Sequence, residues 1–387
     1  MSVPLLDLKA QYERIREDID AAIRRVLESQ HFVMGPEIEQ FEAEIAEYCE
    51  TRHAISCGSG SDALVLALMA HDIGPGDEVI CPTYTFIATA GAIERVGATL
   101  VLADIDPGTY NVSLASLEEA VGRCSQPRAI LPVHLFGQMA PMDEVASVAR
   151  EFDAAVIEDA AQAIGSREPA GKRAGSHADI GCFSFYPSKN LGAYGDGGIL
   201  TTDDESLTHR ARGLRTNGWV TGPHHRHAGL NSRLDVLQAA ILRVKLQYVD
   251  HWSHERRANA YRYDDLLVAA GAEIGPGDFK DLEIPIRLPA RVPAPAQHVF
   301  NQYVVRVPAE HRDPLRAHLK SRGIDSAVYY SVPLHLQPRF GALGHERGDF
   351  PEAERAARET LALPIYSELT QDQIEAVVDG ICGYFRR

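Results

Sequence analysis

No run of the 387-residue chain is apolar and long enough to span a bilayer, so a membrane-spanning protein is not expected. The opening MSVPLLDLKAQYERI has no basic segment followed by an apolar one, so a signal peptide is not expected either. No two of the six cysteines (Cys49, Cys57, Cys81, Cys124, Cys182, Cys382) form a C-x-x-C pair. Several sit in apolar runs, where a free thiol behaves as a small hydrophobe. A reduced, cytoplasmic protein without a structural zinc is the expectation. Positive charge is also scarce, with 38 Lys and Arg against 54 Asp and Glu, a formal net charge of −16. That field argues against general nucleic-acid binding and against an anionic membrane surface. Any anionic substrate must then be drawn in by a local site.

What is present is ordinary for a globular enzyme: 45% hydrophobic and 24% charged residues. The length suits one large domain plus a smaller one. Ile15, Ile19, Ile23 and Val26 recur at helical spacing, predicting an amphipathic helix from about Lys9 to Ser29. From His53 short apolar runs alternate with helical ones: AISC, EVIC, TLVLADI, AILPVHL and AAVIEDA, with helices expected over Ser61–His71, Phe86–Val96, Leu114–Val121 and Pro141–Glu151. Runs of this kind lack strict alternation and suit strands buried on both faces. The repetition argues an α/β fold with a mostly parallel sheet between helices.

Beyond Ala160, DIGCFSFY and GGILTT read as two more strands joined by a Gly-rich loop. A helix-rich stretch is expected from Ser232 to about Leu267, and LPARVPAPAQ reads as a loop. The remainder reads as strand (HVFNQYVVRV), helix (Asp313–Arg322), strand (DSAVYY) and helices over Pro351–Leu363 and Gln371–Phe385. We expect residues 1–245 to form an arm and a large α/β domain, and residues 246–387 a bridging helix and a smaller α+β domain.

CGSGSDAL (Cys57–Leu64) fits G-x-G-x-x-A, a dinucleotide fingerprint, or equally a turn opening a helix that holds one phosphate. The dinucleotide reading requires an acid at the end of the next strand. That strand, EVICPTYTF, carries Asp77 and Glu78 at its beginning instead, so the reading fails. What survives is a helix N-terminus with amides at Gly60, Ser61 and Asp62, a generic anion cradle or simply a capped turn.

Three segments narrow this choice. VIEDAAQAIG puts Glu158 and Asp159 at the C-terminal end of an apolar strand, where open α/β sheets place ligands. CFSFYPSKNLGAYGDGG sets Ser184 on a strand and Lys189 in a loop, followed by Gly192, Gly195, Gly197 and Gly198. GLNSRLDVLQAA opens the long helix. A strand-end acid, a serine and a loop lysine are the parts of a pyridoxal phosphate site: the amine forms a Schiff base, the acid pairs with the pyridine nitrogen, and helix amides with a hydroxyl bind the phosphate. Phe86 is placed to cover the ring.

CGSGSDAL, PTYTFIATAGAI, PVHLFGQ, EDAAQAIG, FSFYPSKNLGAYGDGG, NSRLDVLQAA and PLHLQP, in this order, resemble the pyridoxal-phosphate-dependent sugar-nucleotide aminotransferases of the DegT/StrS family. The resemblance runs from LDLKAQY to the C-terminal helices. It implies fold type I, the aspartate aminotransferase-like fold, and a homodimer with active sites at the subunit interface. It implies Lys189 as the Schiff-base lysine and proton carrier, and Asp159 on the pyridine nitrogen. Gln162 would bond the phenolic oxygen, and Phe86 would stack on the ring. Amides of Ser61 and Asp62, the Ser184 hydroxyl and the neighbouring subunit's copy of Asn231 would hold the phosphate.

Blander readings stand beside these: Gln162 as a cap, Phe86 as core, Asn231 as an N-cap of the long helix. The run His224, His225, Arg226, His227 is too crowded for several metal ligands on one face; no metal is expected. It reads as a solvated loop, or through the resemblance as a contribution to the neighbouring active site.

The resemblance also implies L-glutamate as donor and a nucleotide-diphosphate-linked keto sugar as acceptor, taken in turn. Arg212, Arg215 and Asn217 are candidates to meet carboxylate or diphosphate, and Tyr330 and His335 to face the site. Tyr329-Tyr330-Ser331 stands where the family usually has His-Tyr-Pro, and Asn301-Gln302 where His-Leu is frequent, so the sugar and the carbon aminated stay open. Amination at the third carbon is expected, with the fourth carbon or a cyclitol-type ketone as alternatives. Lys189 argues against the dehydratase-like members, which carry histidine there. A non-catalytic pyridoxal-phosphate-binding regulator is the rival of another class; the chain shows no spare domain or basic patch for it.

Overall fold

The computed structural model describes residues 2–219 and 228–386. The chain opens with helix α1 (Leu8–Ser29), whose first turn is capped by Asp7 accepting from the amides of Lys9 and Ala10 at 3.1 and 3.0 Å. Its apolar stripe buries Ile15, Ile19, Ala22 and Val26. Helix α2 (Pro36–Tyr48) follows. Sequence reading did not single it out, although Pro36 at its first turn and Ile38, Phe41 and Ile45 on one face are ordinary helix signals.

The main sheet has seven strands: β1 (His53–Cys57), β2 (Glu78–Pro82), β3 (Thr99–Ala103), β4 (Pro127–Ile130), β5 (Ala155–Asp159), β6 (Ile180–Ser184) and β7 (Gly198–Thr202). Their order across the sheet is β1-β7-β6-β5-β4-β2-β3. β7 runs antiparallel to both its neighbours, and the other pairs are parallel. The sheet is the mostly parallel one expected. Between its strands come α3 (Gly60–Ala70), α4 (Ile87–Arg95), α5 (Leu114–Arg123) and α6 (Met142–Glu151), with α7 (Glu205–Leu214) after β7. α3 is buried almost all round, from Ala63 to Leu68, because it lies between the sheet and α4 and α7.

The expected helix-rich stretch is two helices, α8 (Val236–Leu246) and α9 (Val249–Ala269), so Asn231 lies outside it and Asp235 occupies the N-cap. A second sheet, in the order β11-β10-β9-β8, is built from β8 (Glu273–Ile274), β9 (Arg287–Leu288), β10 (Tyr303–Arg306) and β11 (Thr360–Leu363). It packs with α10 (Ala309–Ser321) and α12 (Gln371–Phe385), and Val3 joins the same core.

Three expectations in this half need correction. The HVFNQYVVRV strand is only Tyr303–Arg306; the residues before it turn away to bond the main sheet's loops, with Val299 N–H donating to Gly137 O at 3.0 Å. DSAVYY is not a strand beyond one bridge, Ala327 to Ala362. The Pro351–Leu363 helix ends at Glu359 (α11, Pro351–Glu359), and Thr360–Leu363 is β11, paired antiparallel with β10. A four-residue apolar run cannot be told from a buried helix turn by period alone, and a distant partner strand in register (Arg306 to Thr360 through Tyr303 to Leu363) decides it.

Candidate active site

The carboxyl ends of β2, β5 and β6 lie on one side of the sheet, the side from which α3 starts after β1, and open α/β sheets take ligands in the crevice outside such strand ends. Asp159 ends β5 and is buried. Thr89 Oγ1, one turn into α4, donates to its Oδ2 at 2.7 Å, and the Ala161 amide donates to Oδ1 at 3.2 Å. Burial pushes the Asp159 carboxyl up from its usual range, against those two hydrogen bonds and the nearby Lys189 charge. A buried carboxylate in this state is short of a cationic partner.

Glu158 points to the opposite face and is committed to structure. His134 Nε2 lies 2.8 Å from its Oε2, and the amides of Gly175, His177 and Ala178 donate to it at 2.7, 2.9 and 3.0 Å. Burial alone would raise its pKa, but these hydrogen bonds outweigh burial and hold it low. The pair anchors the strand whose next residue is Asp159.

Lys189 sits after β6 in a turn closed by its own amide donating to Tyr186 O at 2.8 Å. Desolvation lowers its ammonium to about 8, partly offset by the Asp159 charge. The neutral amine is the nucleophile. Addition of pyridoxal phosphate to the cofactor-free protein should therefore accelerate with pH up to about 8 and level off above it. A midpoint near 10, the ordinary lysine range, would contradict this environment.

The turn at β1's end delivers Ser59 as N-cap of α3, its Oγ accepting from the Asp62 amide at 3.1 Å. The Asp62 amide is thus occupied, unlike the expectation, and its carboxylate accepts from Ser232 Oγ at 2.8 Å. The first-turn amides of Gly60 and Ser61 are the ones without an intrahelical partner. Ser184 lies directly against them: a Cβ on Gly60 would come within 2.6 Å of Ser184 Cβ. Only glycine permits that approach, which brings a hydroxyl beside the positive end of a helix.

Phe86 is 53% exposed at the start of α4, its ring 6.0 Å from that of Tyr330, so it is not ordinary core. Gln162 Oε1 accepts from the Phe136 amide at 2.7 Å, and its Nε2 donates to Tyr330 Oη at 3.2 Å. Tyr84 Oη in turn receives the Tyr330 amide at 2.9 Å and donates to Tyr329 O at 2.6 Å. The DSAVYY segment is a site loop held by these bonds, which is why it does not run on as a strand.

Of the predicted substrate residues, Arg215 is committed to the protein itself. Arg215 is buried, bonded to Glu42 and donating to Ser56 O at 2.8 Å, so it is a structural cation. Arg215→Ala should cost about 3–5 kcal/mol, because it strands the Glu42 carboxylate. That loss is read in denaturant melts, with the amino-donor KM unchanged in the folded protein. The Asn217 amide donates to Leu230 O at 2.8 Å. Arg212 is half exposed, 3.7 Å from Glu42.

His335 does not face the crevice. It is 2% exposed, with Nδ1 2.9 Å from Thr83 Oγ1 and Nε2 3.3 Å from Glu354, and burial lowers its pKa. It joins the end of β2 to α11. Asn231 is exposed and bridges to Thr216. The His224–His227 run lies outside the described residues. Among the described residues, no helix is long and apolar enough to cross a membrane.

A buried carboxylate short of a cation, a desolvated amine beside it and free helix amides against a serine fit pyridoxal phosphate. Comparison with known proteins agrees. The profile of the DegT/DnrJ/EryC1/StrS aminotransferase family matches residues 13–382. A Geobacillus stearothermophilus protein named pleiotropic regulatory protein is 45% identical over 386 residues, covering 100% of this chain and 99% of its own. A Streptomyces venezuelae dTDP-3-amino-3,4,6-trideoxy-alpha-D-glucose transaminase is 44% identical over 385 residues, covering 100% and 97%. The X-ray structure of S. venezuelae DesV in complex with a ketimine intermediate superimposes with a TM-score of 0.92 at 43% identity, covering 100% and 99% of the two chains. The fold is therefore that of fold type I, and the chain belongs to the DegT/DnrJ/EryC1/StrS aminotransferase family, as an aminotransferase that uses pyridoxal phosphate.

Proposed function

We propose that this aminotransferase transfers the amino group of L-glutamate to a keto sugar carried on a nucleoside diphosphate, at the sugar's third carbon. The observation that carries this reading is the full-length similarity to a transaminase named for a 3-amino sugar. The reading also rests on the chain carrying Lys189, Asp159, Gln162 and Ser184.

When bound, pyridoxal phosphate supplies an electron sink for the carbon that loses or gains the amino group. Asp159 would keep a proton on the ring nitrogen, and Thr89 with the Ala161 amide holds the carboxylate in place. Lys189 Nζ takes the proton from the donor carbon and returns one on the acceptor side. The Gly60 and Ser61 amides and the Ser184 hydroxyl would bind the phosphate at the helix's positive end. Phe86 would pack over the ring, and Gln162 Nε2 would bond the phenolic oxygen. Donor and acceptor occupy the crevice in turn, with Arg212 and Tyr330 as substrate contacts and His335 acting from behind Thr83.

A second copy of the chain completes the site in this reading, bringing its Asn231 to the phosphate. Exposed Phe32, Val33, Tyr186 and Trp219 are the apolar surface such a homodimer would cover.

The Geobacillus relative's name favours a regulatory reading for that protein. One experiment separates the alternatives. The purified protein is incubated with pyridoxal phosphate, L-glutamate and a 3-keto nucleotide sugar, a 4-keto nucleotide sugar or a cyclitol ketone, and products are read by mass spectrometry. Amination of the 3-keto sugar is expected. Amination of only the 4-keto sugar, or only of a cyclitol ketone, would overturn the position or the acceptor class. Failure with every ketone would favour the regulator.

A further inference from the structure

We infer that Lys245 is a positioning residue for the reaction, its ammonium gripping the Gly192 carbonyl and so fixing the loop that carries Lys189. The inference rests on Lys189 being the reacting amine. Lys245 lies near the end of α8 and is 1% exposed. Its Nζ donates to Gly192 O at 2.7 Å and lies 4.4 Å from the centroid of the Tyr194 ring. Among the described residues it pairs with no carboxylate.

Burying an ammonium without a counter-ion is costly, and burial lowers this one to about 8. A methionine would fill the same space without that cost, so packing alone does not account for a lysine here. The carbonyl it holds lies at a tight point. A Cβ on Gly192 would come within 2.4 Å of Pro187 O, so the chain from Pro187 to Gly192 folds back on itself with Lys189 inside the turn.

Other restraints act on the loop as well, with Leu191 and Ala193 fully buried. Asn190 Nδ2 donates to Val299 O at 2.9 Å, the Ala193 amide to Phe185 O at 2.8 Å, and the Tyr194 amide to Gln238 Oε1 at 2.8 Å. Gln238 and Lys245 both belong to α8, seven residues and so about two turns apart on one face. α8 thus acts as a rail, touching the loop at two points. Releasing the Gly192 end lets Lys189, three residues earlier, move relative to Asp159. A misplacement of about 1 Å can cost on the order of 100-fold in rate.

The test uses full-length protein loaded with pyridoxal phosphate. Lys245→Met removes the donor and keeps the volume; Lys245→Gln keeps a donor without the charge. For Lys245→Met, turnover should fall roughly 10- to 100-fold at little-changed amino-donor KM. Cofactor should also dialyse away faster than from the parent, and the visible absorbance band should titrate at a shifted pH. Lys245→Gln should recover part of each, and decides the question alone if Lys245→Met does not fold.

Parent-like turnover, cofactor retention and band titration in Lys245→Met would overturn the inference. So would equal losses in the two variants, which would mean that the hydrogen bond is not what matters. Lys189→Ala, run in parallel, guards the underlying assignment. If it still holds cofactor covalently by mass after borohydride reduction, the Lys189 assignment fails, whatever Lys245 does.

Discussion

Lys189→Ala is expected to abolish covalent attachment of pyridoxal phosphate and to lower turnover by at least about 1,000-fold. Two properties of one side chain are lost together. The amine is the chain's nucleophile toward an aldehyde, and it is the base that carries the proton between donor and acceptor carbons. The environment supports both. Desolvation lowers the ammonium to about 8, so a usable fraction is neutral near pH 7, while Asp159 keeps the shift from running further. The crevice itself should survive the substitution, because Lys189 makes its turn through its backbone amide rather than its side chain. Non-covalent cofactor binding through Gly60, Ser61 and Ser184 should therefore remain. Intact mass after borohydride reduction distinguishes the two modes. A retained covalent adduct in the variant would place the attachment on another lysine.

Asp159→Asn should keep cofactor bound and lose about 100- to 1,000-fold in turnover, the scale of removing one preorganised electrostatic partner from a developing charge. The substitution is nearly isosteric, and Thr89 can still donate to the amide oxygen as it does to Oδ2 at 2.7 Å. What disappears is the negative charge that holds a proton on the facing ring nitrogen. Burial raises this carboxyl's pKa, against the Thr89 and Ala161 hydrogen bonds and the nearby Lys189 charge. Turnover equal to the parent's would remove Asp159 from this role. Loss of cofactor instead of turnover would make it a binding residue.

The parts of the site that could be read from the sequence are those with a local signal. β5 is an apolar run ending in Glu158-Asp159, and a strand-end acid in an α/β sheet is positioned by the fold itself. Ser59 to Asp62 form a turn and cap over four residues, and Lys189 lies in a Gly-rich loop after a strand. Each needs only neighbours in the chain.

The parts that escaped depend on pairs far apart. Thr89 meets Asp159 across 70 positions, and Arg215 meets Glu42 across 173. Nothing in ARGLRTNGW says that Arg215 neutralises a buried acid. His335 escaped for the same reason: its motif lies near the site, but its ring is spent between Thr83 and Glu354. The Pro351–Leu363 stretch escaped because β11 is decided by its pairing with β10, not by its own pattern. Lys245 carried no signal at all in VLQAAILRVKL, where a lysine reads as the polar side of a helix.

The most direct test is the absorbance spectrum of the purified, cofactor-loaded protein before and after adding L-glutamate. The account predicts that the visible band of the lysine-bound cofactor disappears, that the band of its amine form grows, and that a nucleotide-linked keto sugar then restores the first. A visible band that neither L-glutamate nor any other amino donor changes would contradict the account, since a bound cofactor that accepts no amino group cannot be serving transamination.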